Sequence, residues 1–240
     1  MTLPVPPPQW VSGAHFDAPI LVTGLPRSGT SLVMGLLAAC GLWLGRIPPG
    51  AAENIHGYFE NIILRENVQK EILRRGRFDP LGVRILPPPN WLPGIPEFRA
   101  LIAAALAIQD YDGARPWGFK EPKMSLMWRL WDRHFPAARW VIVRRPPEQV
   151  IDSCMRARFM RHHSSDRAFW QRFVEDYLLR LGELEDSVGW CRVVESAEIV
   201  AGRFQPLETL VGEFNLTWRS DAVHSFVAPE HWHAPRDSSA

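Results

Sequence analysis

Eight consecutive residues, GLPRSGTS at positions 24–31, gather the residue types that hold an anion. They follow the short apolar run Ile20, Leu21 and Val22. They lead into an apolar, helix-forming stretch, residues 31–39, that Gly41 can stop. A strand, a tight loop and a helix start, in that order, aim successive backbone N–H groups and the positive end of the helix dipole at one point. The ligand so implied is a phosphate. Gly24, Gly29 and Ser31 fall on the nucleotide-loop spacing G-x-x-x-x-G-K-[ST], but Thr30 stands at the lysine position and Arg27 is the only cation in the loop. Without that lysine the loop lacks the charge that a kinase or ATPase places on the β- and γ-phosphates. It is phosphate-binding in shape and poorly suited to ATP hydrolysis, and the plainer alternative is an ordinary βα turn rich in Gly and Ser.

Two more stretches carry chemistry. The chain has three lysines, Lys70, Lys120 and Lys123, against a far larger number of arginines, and two of them fall in FKEPK, residues 119–123. The apolar residues ahead of Lys120 read as a strand that Glu121-Pro122 ends at a site, because proline cannot continue a ladder. The alternative for this stretch is a surface Lys–Glu pair of little energetic weight. Further on, RRPPEQVIDS, residues 144–153, places arginines, prolines and Ser153 directly after a buried strand. A doubly charged phosphate in a partly buried site calls for this combination, an arginine donating two parallel hydrogen bonds together with a hydroxyl donor.

Following a hydrophobic strand, P-R-S-G-T-S resembles the 5′-phosphosulfate loop of the sulfotransferase superfamily, which uses 3′-phosphoadenosine 5′-phosphosulfate (PAPS). Arg27 stands where cytosolic members carry lysine, as in the tyrosylprotein sulfotransferases and many bacterial relatives. The resemblance implies that Arg27, Ser28, Gly29, Thr30 and Ser31 hold the 5′-phosphosulfate, with Lys120 beside it. It also implies that Arg145 and Ser153, eight positions apart, grip the 3′-phosphate that distinguishes PAPS from ATP; Arg144 is one position out of register. The catalytic histidine of cytosolic members is replaced by Pro122, which leaves Glu60, Glu121 or Glu53 as the base. Glu60, in G-Y-F-E, matches the glutamate-bearing stretch of bacterial and glycosaminoglycan-type members, and partial desolvation is expected to raise its pKa into a useful range. The implied reaction is sulfuryl transfer from PAPS to a hydroxyl or amine of a small-molecule, glycan or peptide acceptor, giving PAP, with no metal required. The alternatives are a P-loop kinase or nucleotidase, or a noncatalytic PAP- or nucleotide-binding module.

The elements that must position these groups follow from pattern. At 240 residues, with 46% hydrophobic residues and a net charge of +1, the chain suits one α/β domain and argues against a nucleic-acid partner. Helices are expected over residues 31–39, 62–75 with Asn61 as N-cap, 97–109, 124–135, 169–184 and 206–214. Strands are expected over 20–22, 117–120, 140–143 and 190–194. Alternating strands and helices imply a three-layer fold around a mostly parallel sheet. Residues 1–18 read as a Pro-rich extended arm that Trp10 anchors, and 81–98 as an ordered proline-dense loop. Residues 155–167 read as a lid or part of an acceptor site, in which His162 and His163 face solvent. Three scattered cysteines, no basic-then-apolar leader and no run long enough to span a bilayer suggest a cytoplasmic protein without a membrane span. Self-association is left open.

Overall fold

In the computed structural model, residues 13–50 and 57–227 are described. After a short helix α1 (Ala14–Asp17), β1 (Ile20–Gly24) leads through the loop into α2 (Thr30–Ala39). A π-helical turn, Leu64–Gln69, runs into α3 (Lys70–Arg75), and α4 (Phe98–Ala107) precedes β2 (Gly118–Lys120). A 3-10 turn, Pro122–Leu126, then α5 (Trp128–His134), returns the chain to β3 (Arg139–Arg144). There follow α6 (Pro147–Arg156), α7 (Arg158–Arg161), α8 (Arg167–Ser187) and β4 (Cys191–Glu195). The described chain ends with α9 (Ser196–Val200), α10 (Gln205–Glu213) and α11 (Ser220–Phe226).

The four strands are parallel, in the order β2-β1-β3-β4, with Val22 beside Lys120 and Gly24 beside Val143. The chain leaves β1 for one neighbour and comes back to the other, so the carboxyl ends of β1 and β3 flank a topological switch point. Open α/β sheets bind their ligands at such points. Alternation along the strands divides the core. Leu21, Phe119, Trp140 and Ile142 face one helix layer with Trp117, Trp131 and Tyr177. Ile20, Val22, Val141 and Val143 face the other, with Leu32, Val33 and Leu36 of α2 and Leu207 and Leu210 of α10. Apolar residues on both faces of a strand are what a sheet covered on both sides requires.

Several expectations are corrected. The part of the arm at residues 14–17 is a helical turn, because Phe16 is buried with its ring 5.5 Å from that of Phe135; Trp10 lies outside the described residues. The helix expected over 124–135 is interrupted at Met127, whose φ of −142° is not helical. The helix expected over 62–75 opens as a π-helical turn, with the Asn61 side chain accepting from the amides of Ile63 and Leu64 at 3.1 Å each. The proline-dense loop, by contrast, is ordered as expected: Tyr177 donates to the Gly82 carbonyl at 2.8 Å and Arg180 to that of Pro87 at 2.7 Å, strapping it to α8.

Candidate functional site

The loop after β1 takes its shape from two glycines. A Cβ on Gly24 would come within 2.4 Å of the Val143 carbonyl oxygen, so only glycine lets β1 turn this close to β3. Gly29, at φ 98°, would drive a Cβ to 2.7 Å from that of Ser196. Between them Arg27 sits in the left-handed region at φ 74°, a conformation that a non-glycine residue keeps only where its surroundings enforce it. The Ser28 amide closes the turn on the Leu25 carbonyl at 3.0 Å. The amides of Leu32 and Val33 bond back to the Gly29 carbonyl, and among the described residues those of Gly29, Thr30 and Ser31 are left as the orphan donors of the helix start. The Ser28 hydroxyl is buried and finds no hydrogen-bond partner among the described residues. A buried donor without a partner is costly unless a ligand satisfies it, so an anion fits this cradle. The Thr30 side chain is buried beneath the loop and the Ser31 hydroxyl donates to the Tyr58 carbonyl at 3.2 Å. Both residues therefore face the cradle through their amides.

Beside the loop the fold gathers a cationic group. Arg27 Nε donates to Ser153 Oγ at 3.1 Å, across 126 residues of sequence. Arg145 donates from Nη1 to the Arg27 carbonyl at 3.3 Å and from Nε to Gln149 at 3.2 Å. Burial, together with the nearby charges of Arg27 and Arg156, pushes the Arg145 pKa down. An anion set among arginines crowded in this way would relieve their mutual repulsion. Arg144, the out-of-register alternative, pairs with Glu185. A cavity of about 380 Å³ adjoins this group, with Leu25, Val143, Arg145 and Leu181 among its walls.

On the other flank, Lys120 at the end of β2 meets Glu60. Lys120 Nζ lies 2.6 Å from Glu60 Oε1, and Arg65 Nη1 lies 2.9 Å from Oε2. Lys120 is almost wholly buried, so the alternative of a surface pair is excluded for it. Burial alone raises the Glu60 pKa, but the charges of Lys120 and Lys123 and the hydrogen bonds from Lys120 and Arg65 outweigh it and hold the carboxyl at about 2. The expectation of a raised pKa is thereby corrected: partial desolvation is present, and the cations win. The segment is held by Asn61, which donates to the Leu44 carbonyl at 2.8 Å and to Gln109 at 3.0 Å.

Glu121 goes the other way. Its carboxylate is 2.7 Å from Lys123 Nζ and accepts from the Lys123 amide, buried on the Tyr177 side of the sheet. The structure therefore brings Glu60, and not Glu121, to Lys120. Glu53 lies outside the described residues. Arg65 and the Phe159 ring, 5.7 Å from the Arg27 guanidinium, were not singled out from sequence. Arg65 had a signal in its position one turn beyond the capping Asn61, whereas Phe159 had none.

Comparison with known proteins gives a match between residues 19–195 and the model described as the sulfotransferase family. No curated protein matches. Among solved structures the chain resembles the sulfotransferase domain of the Synechococcus PCC 7002 olefin synthase, with a TM-score of 0.55 at 17% identity, over 91% of this chain and 80% of that one. It also resembles the sulfotransferase STF1 from Mycobacterium tuberculosis H37Rv, with a TM-score of 0.52 at 14% identity over 89% and 71%. For the sulfotransferase STF9 from Mycobacterium avium the values are 0.52 and 15% over 93% and 70%. These likenesses are of fold.

Proposed function

Given that the chain belongs to the sulfotransferase family, we propose that it takes its sulfuryl group from PAPS and delivers it to a hydroxyl or amine of a small-molecule, glycan or peptide acceptor. The observation that carries the choice of donor is the meeting of Arg27, Arg145 and Ser153 beside a loop whose buried Ser28 hydroxyl has no partner among the described residues. Two anion sites side by side, one on the helix start and one on Arg145 and Ser153, suit a donor with a 5′-phosphosulfate and a separate 3′-phosphate. The free thiols of Cys40, Cys154 and Cys191 are in keeping with a cytoplasmic setting. Among the described residues no helix is long and apolar enough to cross a membrane.

The transfer exchanges an S–O bond to the 5′-phosphate of PAP for one to the acceptor oxygen or nitrogen, whose proton leaves to a base. In this reading Arg27, Lys120 and the amides of residues 29–31 stabilise the charge that grows on the departing phosphate. Preorganised donors of this kind are each worth ~10²–10³ in rate. Glu60 is the base in this reading. Held by Lys120 at a pKa of about 2 it is a weak proton acceptor, so Lys120 must first turn from Glu60 to the anion on the loop. That exchange lets the burial of Glu60 raise its pKa.

Thermal-shift titration tests the donor. PAP is expected to raise the melting temperature well above the rise given by ADP at equal concentration, and Arg145→Ala should erase the difference. Equal shifts with the two nucleotides on the unaltered protein would remove the 3′-phosphate assignment.

A further inference from the structure

Between Ser153 and Ser165 the chain carries Arg156, Arg158, Arg161, His162 and His163 and no acidic residue. This concentration is unusual in a protein whose charges otherwise nearly cancel at +1. The closest acids in sequence are engaged elsewhere, since Glu148 and Asp152 both pair with Arg167 and Asp166 accepts from the Ala168 amide at 2.9 Å. Among the described residues no carboxylate pairs with Arg158 or Arg161, whereas Arg129 on α5 and Arg167 and Arg180 on α8 have such partners. Arg158, Arg161 and His162, with Met155 and Ser165, line a cavity of about 470 Å³, within the size range of small-molecule sites. The helix α7 that carries them sets two directions. Arg158 and Arg161, three residues apart, share a face, while Phe159 between them lies over the Arg27 guanidinium at 5.7 Å. The cavity is thus attached by one helical turn to the residue that faces the transferred group.

We propose that this cavity selects the acceptor by a negative charge. The substrate is a small molecule bearing both the hydroxyl to be sulfated and its own carboxylate or sulfate, with the anion held by Arg158 and Arg161. Two unpaired guanidiniums on one face offer the forked donors that a carboxylate or sulfate accepts in parallel. Met155 supplies an apolar wall for a short stem or ring between anion and hydroxyl. The fate of the hydroxyl rests on the sulfuryl-transfer reading above; the recognition of the anion does not.

The test is calorimetric titration of the full chain saturated with PAP, using three matched probes: 4-hydroxyphenylacetate, its neutral amide, and 4-hydroxyphenyl sulfate. At least one anionic probe is expected to bind on the order of tenfold or more tighter than the amide. That advantage should shrink as salt rises through several-fold and should vanish in Arg158→Ala/Arg161→Ala. PAP affinity should be unchanged in that variant, and Arg158→Lys/Arg161→Lys should recover part of the loss. Preference for the sulfate over the carboxylate identifies an acceptor that is already sulfated; the reverse identifies a hydroxy acid. The proposal is overturned if the amide binds as well as the anions, if none of the probes binds, or if the double alanine variant leaves anion binding intact. It is overturned equally if that variant weakens PAP tenfold, because the arginines would then belong to the donor. Failure of the unaltered protein to bind PAP counts against the donor reading alone, and the same probe comparison without PAP then decides this one.

Discussion

Lys120 and Glu60 show how two charged side chains can be both buried and poised. Each compensates the other, and Arg65 takes the second carboxylate oxygen, so no charge is stranded. The lowered pKa of Glu60 fixes the sign of its linkage to stability. Its contribution is complete above the ordinary value of 4.5 and is lost as pH falls through about 2. The stability of the unaltered protein, measured by urea unfolding, should therefore fall as pH drops between these limits. Glu60→Gln should start less stable at neutral pH, with Lys120 unpaired, and lose less across the acid range; parallel curves for the two proteins would remove the clasp as the cause. In sulfuryl transfer the same variant should turn over more slowly by on the order of 10²–10⁴, the usual worth of general-base assistance. Arg27→Ala should lose on the order of 10² or more, even though it leaves Glu60 untouched. Undiminished turnover in Glu60→Gln would assign the base elsewhere.

Among the elements, the unit of β1, loop and α2 depends on backbone conformation more than on side chains. Gly29 has a φ of 98° and no room for a Cβ beside Ser196 at the start of α9, so the loop and α9 hold each other in place. Gly29→Ala should cost about 1–3 kcal/mol and weaken PAP binding as well, because the orphan amides move with the loop. Gly94→Ala, where an added Cβ meets nothing within 4 Å, is the matched control and should melt within a degree or two of the unaltered protein. Similar losses in both variants would show that the loop is not under this constraint.

In the molecule as a whole, the two helix layers are unlike. The layer carrying α5 and α8 is aromatic: Trp131 meets Phe98 edge to face and lies tilted against Phe119 and Phe135, with ring centroids 5.0, 5.6 and 5.9 Å away. The layer of α2, α9 and α10 is mainly aliphatic. Trp131→Ala removes a fully buried indole and should cost about 3–5 kcal/mol. The sheet positions the site from within, so the loss should appear as lower chemical stability with the PAP affinity of the folded fraction kept. A fall in PAP affinity without a fall in stability would contradict that separation.

The shape of the loop between β1 and α2 was legible because its signals are local: a strand end, two glycines and a helix start within eight residues leave the backbone little choice. The three-layer α/β fold was legible for a related reason, since apolar strands alternating with helices are covered on both sides. Asn61 as a cap and the ends of α2 and of β2 to β4 followed from short-range pattern to within one or two residues. The break at Met127, the π-helical start before α3 and the helical turn at α1 did not, because each is imposed by packing against partners distant in sequence. The site residues divide in the same way. Arg27, Lys120, Arg145 and Ser153 could be named from spacing and resemblance. The contact of Ser153 with Arg27, the closure of Lys120 on Glu60 and the turning of Glu121 to the opposite face were decided by tertiary structure alone. A one-residue step along a strand reverses the face a side chain occupies, and parallel pairing brought Lys120 beside Val22, near the loop that follows β1. No local pattern encodes that pairing, yet it determines which carboxylate the lysine meets and how strongly that carboxylate holds its proton.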